Sequence, residues 1–181
     1  MNEKVITLIR HTQPDIAAGI CYGQTDIGVA ESFAREAAEI RSWMQSIDLL
    51  IISPLIRTKR LAEYLSEEFS CVWREDARLM EMDFGEWEGR NWDDIPRHEI
   101  DAWGADILHY QPPGGESACQ LMQRVKLAWH DAVLLPQRHV GLVTHGGSMR
   151  AMLSMLGDVP MKEAMSWQID YGAVIEVKLT E

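Results

Sequence analysis

Lys4-Val5-Ile6-Thr7-Leu8-Ile9-Arg10-His11-Thr12-Gln13-Pro14 is an apolar, largely β-branched run that ends in an arginine and a histidine, with a proline stopping it. Such a run, followed by helical segments, reads as a buried central strand of an α/β sheet. In open α/β sheets, ligands bind beyond the carboxyl ends of the strands. That rule places Arg10 and His11 where chemistry would be done.

The rest of the chain repeats the pattern. A turn-rich loop from Asp15 to Gly28 precedes an amphipathic helix predicted from Ala30 to Met44. Asp48 to Ser53 reads as a second buried strand. Ser53-Pro54 then reads as an N-cap and first helical position for a helix running to about Phe69, with Arg57 in its first turn. Val72 to Arg74 is a short third strand, Leu79 to Trp92 is irregular, acidic and aromatic, and Asp93 to Ile107 is predicted helical. Pro112-Pro113-Gly114-Gly115-Glu116-Ser117 breaks the chain before a helix with Leu121, Val125, Ala128 and Ala132 on one face. Val140 to Thr144 forms another buried strand ending in His145-Gly146-Gly147, a helix spans Ser148 to about Leu156, and Ala173 to Leu179 is the last strand. No linker or repeat divides residues 1–181, so one domain is expected, an α/β sandwich with a mostly parallel sheet.

Composition narrows the function. A net charge of −11 disfavours nucleic acid, whose phosphates need a basic face, but a local arginine cluster still suits a small phosphorylated ligand. Cys21, Cys71 and Cys119 are odd in number and lack CxxC spacing, which disfavours a disulfide framework or a zinc site and suits a reducing compartment. No basic-then-apolar leader opens the sequence and no apolar run reaches membrane-spanning length, so a cytoplasmic location without a membrane partner is expected.

Three strand ends therefore carry one kind of chemistry: Arg10-His11, Arg57, and His145-Gly146-Gly147. Arginine supplies a planar fork of donors that matches phosphate oxygens. A helix starting after two glycines adds backbone N–H groups and the positive end of its dipole.

With these residues in place, the sequence resembles the histidine phosphatase superfamily, the branch that includes cofactor-dependent phosphoglycerate mutases. The matching motifs are Leu8-Ile9-Arg10-His11-Thr12-Gln13, Ser53-Pro54-Leu55-Ile56-Arg57-Thr58, Leu79 to Gly89, Pro113-Gly114-Gly115-Glu116-Ser117 and Val143-Thr144-His145-Gly146-Gly147, in family order. The resemblance implies a three-layer α/β/α sandwich of the phosphoglycerate mutase type. It implies His11 as phosphoryl-accepting nucleophile, and Arg10, Arg57, His145 and Gly146 as phosphate-holding groups. Glu81 becomes the general acid and then the general base, and neither metal nor cofactor is needed. Where the family has glycine after the nucleophile this chain has Thr12, which suits a backbone φ below zero and can add a hydroxyl donor.

The loop Ala18-Gly19-Ile20-Cys21-Tyr22-Gly23-Gln24-Thr25-Asp26 resembles that of the α-ribazole phosphatases of the cobalamin pathway more than that of the mutases. The resemblance implies hydrolysis of α-ribazole 5′-phosphate or adenosylcobalamin 5′-phosphate. Thr12, Tyr22, Gly23, Gln24, Thr25 and Trp87 are then the expected pocket. Trp92 and Trp103 are further candidates for its wall, and Trp43, Trp73 and Trp129 are expected in the core. A broad-specificity sugar-phosphate or nucleotide phosphatase, a phosphoglycerate mutase and a non-catalytic phosphate-binding module remain the alternatives. Oligomeric state is not legible.

Overall fold

Alternation along the strands sets the layers. The computed structural model describes residues 3–179. Its strands are β1 (Lys4–Arg10), β2 (Leu49–Ile52), β3 (Val72–Glu75), β4 (His139–Thr144) and β5 (Val174–Leu179), in one sheet of order β3-β2-β4-β1-β5. The first four run parallel, and β5 pairs antiparallel with β1. Ile6, Leu8, Leu49, Ile51, Val140 and Leu142 face one side of the sheet, whereas Ile9, Leu50, Ile52 and Val143 face the other. Both faces are buried, which is why β2 and β4 read as continuous apolar runs instead of alternating with polar residues.

Helices α1 (Phe33–Ser42) and α2 (Ile56–Phe69) cover the Ile9 side through Ala37, Ile40, Leu61, Ala62 and Leu65. A short α3 (Arg97–Ala105) lies apart from the sheet. Helices α4 (Ala118–Leu134), α5 (Gly146–Gly157) and α6 (Met161–Ala164) cover the opposite face. The result is a three-layer α/β/α sandwich. The chain moves outward from β1 to β2 to β3 and then returns to place β4 between β2 and β1. Reversal of strand order opens a crevice at the carboxyl ends of β1 and β4, the switch point where α/β ligands bind. Among the described residues no helix is long and apolar enough to cross a membrane.

Several expected boundaries shift for identifiable reasons. Ser53 does not cap α2. Leu55 occupies that position, and the carboxylate of Asp26 accepts the Ile56 N–H at 2.7 Å from the long loop. Pro96 holds Ile95 extended, so α3 starts only at Arg97, after a separate 3-10 turn at Trp92–Asp94. α5 starts at Gly146, two residues earlier than expected, with His145 as its N-cap residue. Trp43 follows the last turn of α1 and is 70% exposed, so it is not a core residue. The remaining two of that set pack against the core: Trp73 from β3 on the Ile9 side of the sheet and Trp129 from α4 on the opposite side.

Candidate active site

The ladder between β1 and β4 brings the two histidines together. Arg10 pairs with Thr144, and the next N–H, that of His11, donates to the Thr144 carbonyl at 3.1 Å. Each strand therefore hands its first loop residue to the same spot, and the His11 and His145 ring centroids lie 5.0 Å apart. His11 Nδ1 contacts the Thr12 carbonyl at 2.6 Å. Because a carbonyl only accepts, Nδ1 carries the proton and Nε2 keeps its lone pair. Burial, then the Arg57 and Arg10 charges, push His11 well below its ordinary value near 6.5. Burial, then His11 and Arg57, do the same to His145. Both rings are neutral at pH 7, as an attacking nitrogen requires.

Two arginines flank the pair. Arg57 is fully buried and donates from its guanidinium to the Gly23 carbonyl at 2.6 Å and to the Thr25 carbonyl at 2.8 Å. Arg10 donates to the Ile169 carbonyl and lies 4.0 Å beneath the ring of Tyr171. Tyr171 also packs 5.6 Å from His11 and shares a 2.5 Å hydroxyl contact with Tyr22, so the two tyrosines roof the histidines and arginines.

Glu81 enters from the far side. Its carboxylate accepts the Gly147 N–H at 2.9 Å and the Met82 N–H at 2.8 Å. A Cβ on Gly147 would stand 2.2 Å from Glu81 Oε1, so only glycine permits this approach. A Cβ on Gly146 would likewise sit 3.2 Å from both Arg10 Cζ and Arg150 Nη1. Three charged side chains thus press on two glycines at the start of α5.

Among the described residues, seven buried side-chain polar atoms lack a hydrogen-bond partner. Four of them are Arg10 Nε, Arg57 Nε, Thr12 Oγ1 and His145 Nδ1. An unsatisfied buried donor costs about 1–3 kcal/mol, so such a cluster fits a site shaped for an anion with several acceptor oxygens. No three His, Cys, Asp or Glu side chains gather as a metal site would need, among the described residues.

A cavity of about 290 Å³ adjoins this cluster. Arg10, Glu81, Gly147 and Arg150 supply its polar lining; Phe84, Trp92 and Trp103 supply an aromatic wall, with Met82, Met161 and Met165 filling in. A wider depression of about 400 Å³ beside α1 shares only the Tyr171 segment with the site and contains no cation. The smaller cavity is the one that borders the phosphate-type groups.

The family model described as histidine phosphatase superfamily, branch 1, matches residues 6–181. The chain belongs to that superfamily. It is 32% identical over 164 residues to "Probable phosphoglycerate mutase GpmB" of Salmonella choleraesuis, covering 86% of this chain and 75% of that one. The fold is similar to the crystal structure of the α-ribazole phosphatase from Shigella flexneri, with TM-score 0.87 at 22% identity over 98% of this chain and 91% of that one. Mycobacterial glucosyl-3-phosphoglycerate phosphatase is similar with TM-score 0.82 at 25% identity, over 97% and 90% of the two chains. Membership makes this chain a histidine phosphatase in the broad sense, an enzyme of the group that holds phosphatases and phosphoglycerate mutases acting on small phosphorylated molecules.

In this histidine phosphatase the residues singled out in the sequence divide into two sets. His11, His145, Arg10, Arg57, Glu81, Gly146 and Thr12 converge as expected. Thr12 is fully buried and has no positive φ, so its β-branched side chain is unstrained. The pocket expectations need correction. Tyr22 lines the cavity, but Thr12, Gly23, Gln24 and Thr25 do not. The Gly23 and Thr25 carbonyls hold Arg57, the Gln24 side-chain amide donates to the Glu81 carbonyl at 3.0 Å, and both Gln24 and Thr25 bond Glu88. This segment braces the site and leaves the substrate wall to others. Trp87 is fully buried behind Trp92 and Trp103, its indole N–H donating to Glu99 at 2.6 Å, so it too is absent from the wall.

Sequence reasoning missed Tyr171, Arg150 and Ser53. Tyr171 precedes the last strand without any motif. Arg150 was findable, since it lies three and four residues beyond Gly147 and Gly146 on one helical face. Ser53 contacts His145 Nε2 at 2.8 Å, a role hidden by its resemblance to an N-cap.

Proposed function

We propose that this enzyme hydrolyses phosphomonoesters through a phosphohistidine on His11, and that its substrate carries a planar aromatic group, as α-ribazole 5′-phosphate and adenosylcobalamin 5′-phosphate do. His11 Nε2 attacks phosphorus while the ester P–O bond breaks, and Glu81, protonated, gives its proton to the departing alkoxide. Water then attacks the phosphohistidine, losing a proton to Glu81 as the P–N bond breaks, and inorganic phosphate leaves. Arg10, Arg57 and His145 stabilise the charge on the transferred oxygens, and preorganised donors of this kind supply most of the catalysis in phosphoryl transfer. The charge needed is present in these side chains, so activity is expected to survive EDTA.

One observation carries the reading. Four unpartnered buried polar atoms lie around His11, and the side chain of one of them, Arg10, lines a cavity whose wall includes Phe84, Trp92 and Trp103. A benzimidazole is complementary to such a wall, because aromatic contacts add about 0.5–1.5 kcal/mol beyond area burial. Met82, Met161 and Met165 in the same lining favour the competing reading, a phosphatase of broad specificity, since methionine side chains repack around varied ligands.

The deciding experiment compares kcat/KM for α-ribazole 5′-phosphate, sugar phosphates, nucleotides and 3-phosphoglycerate, with label-trapping on wild type and His11→Ala. An advantage of at least about tenfold for α-ribazole phosphate is expected, which is about 1.4 kcal/mol in the transition state. A smaller margin supports the broad reading. Turnover in His11→Ala, or label on another residue, refutes the mechanism.

A further inference from the structure

Glu81 sits in a segment with no regular structure to hold it. Residues 80–84 belong to no helix or strand, yet a general acid must be placed to within a fraction of an ångström. The fixing element lies outside the site, on α4. Ser117 and Gln120 form a reciprocal capping box that sets where this helix begins. Two turns on, Arg124 returns beneath Glu116, and the two side chains pair at 2.5 and 3.1 Å.

All five N–H donors of Arg124 are used. Nε and one Nη2 hydrogen serve Glu116. The remainder go to three main-chain carbonyls of one segment: Arg78 at 2.8 Å, Met80 at 2.6 Å and Glu81 at 2.8 Å. Glu116 grips the same segment from its other end, accepting the Asp83 N–H at 3.0 Å and donating its own N–H to the Asp83 carbonyl at 2.9 Å. Gln24, Ser148 and Thr144 add single bonds to the Glu81, Met80 and Leu79 carbonyls. Among the described residues, only the Arg124–Glu116 pair spans residues 78–83. With its backbone fixed on one side, Glu81 can project its carboxylate to Gly147 on the other.

We infer that Arg124, locked by Glu116, is a positioning residue that sets the geometry of proton delivery by Glu81 without touching substrate. A guanidinium fork is required, because a lysine ammonium has three donors at one point and cannot reach three carbonyls of residues 78–81 and the Glu116 carboxylate together. The inference rests on the proposed role of Glu81 as the acid.

Leaving-group chemistry separates positioning from general damage. An alkoxide needs the proton as it departs, whereas p-nitrophenolate does not. Single-turnover rates of phosphoryl transfer to the enzyme are therefore compared for a simple alkyl phosphate and p-nitrophenyl phosphate, with inhibition by inorganic phosphate as the readout of the phosphate-holding groups. Glu81→Gln is expected to lose on the order of 10²–10⁴ on the alkyl ester and far less on the nitrophenyl ester. Arg124→Lys is expected to lose on the order of 10–10²-fold on the alkyl ester, as for displacement of a catalytic group by about 1 Å, with little change on the other. Phosphate inhibition stays the same in both variants. Should Arg124→Lys fail to fold, Glu116→Gln, which removes half of the fork's anchor, carries the same comparison. Equal losses on both esters, or none, overturn the clamp while leaving Glu81 selective. A flat profile for Glu81→Gln overturns the acid assignment and the clamp with it.

Discussion

Lowering the pH from 6 to 5 is expected to destabilise this enzyme steeply, and the slope reports the two buried histidines. His11 and His145 are 1% and 0% exposed, and both are held well below 6.5 by burial and by the surrounding cations. In the unfolded chain each titrates near 6.5. The native state thus refuses protons that the unfolded state accepts. Stability is complete above about pH 6.5 and is lost as the pH falls below it. Each refused proton contributes about 1.4 kcal/mol per pH unit at full titration of the unfolded chain. From pH 6 to pH 5 the two together contribute on the order of 2 kcal/mol, a large share of the ~5–15 kcal/mol typical of a domain. His139, half-buried, is also lowered and adds a smaller contribution. Asp76 and Glu88, whose carboxyls are lowered despite burial by hydrogen bonds, lose stability only at more acid pH, near and below the unfolded carboxylate values. Urea denaturation at half-unit intervals from pH 7 to 5 measures the slope, and His11→Gln removes one of its sources. The variant is expected to lose on the order of 1 kcal/mol less than wild type between pH 6 and 5, one histidine's share of the pair. Parallel profiles for the two proteins, or stability that rises as pH falls, would refute the claim that His11 is buried in its neutral form. The same displaced titration keeps Nε2 of His11 available at pH 6.

Two further substitutions probe the packing around the site. Gly147→Ala sets a methyl 2.2 Å from Glu81 Oε1, so the carboxylate must swing away. A fall in kcat on the order of 10²-fold is expected, with phosphate inhibition unchanged, and full activity in this variant contradicts the placement of Glu81. Ser53→Ala removes the hydroxyl that meets His145 Nε2 in a fully buried position. A stability loss of about 1–3 kcal/mol by urea titration is expected together with reduced kcat, and a silent substitution means that Ser53 does not orient His145.

The amino-acid sequence by itself determines the sheet and the chemistry at its edge. β1, β2 and β4 are runs of branched apolar residues that find burial only inside an α/β sandwich. The side chains that end or follow them, Arg10-His11, Arg57 and His145, are fixed to the strand ends by a few residues of chain. Such features are local, so period and residue type disclose them. What surrounds those side chains is not local. Whether Gly23 and Thr25 meet substrate or Arg57 depends on a loop folding back across a gap of more than thirty residues. Which of three nearby tryptophans faces the cavity depends on how they stack on one another, and Trp87 goes under while Trp92 and Trp103 stay in the wall. Ser53 has the sequence position of a helix cap, yet its partner is a histidine ninety-two residues away. Arg124 lies on a helix whose own periodicity is satisfied without it, Tyr171 lies in the turn before β5, and only packing aims them at the site. Strand order and direction, including antiparallel β5, follow from the same cause: they are settled when distant apolar faces choose one another, a choice that no single stretch of the chain contains.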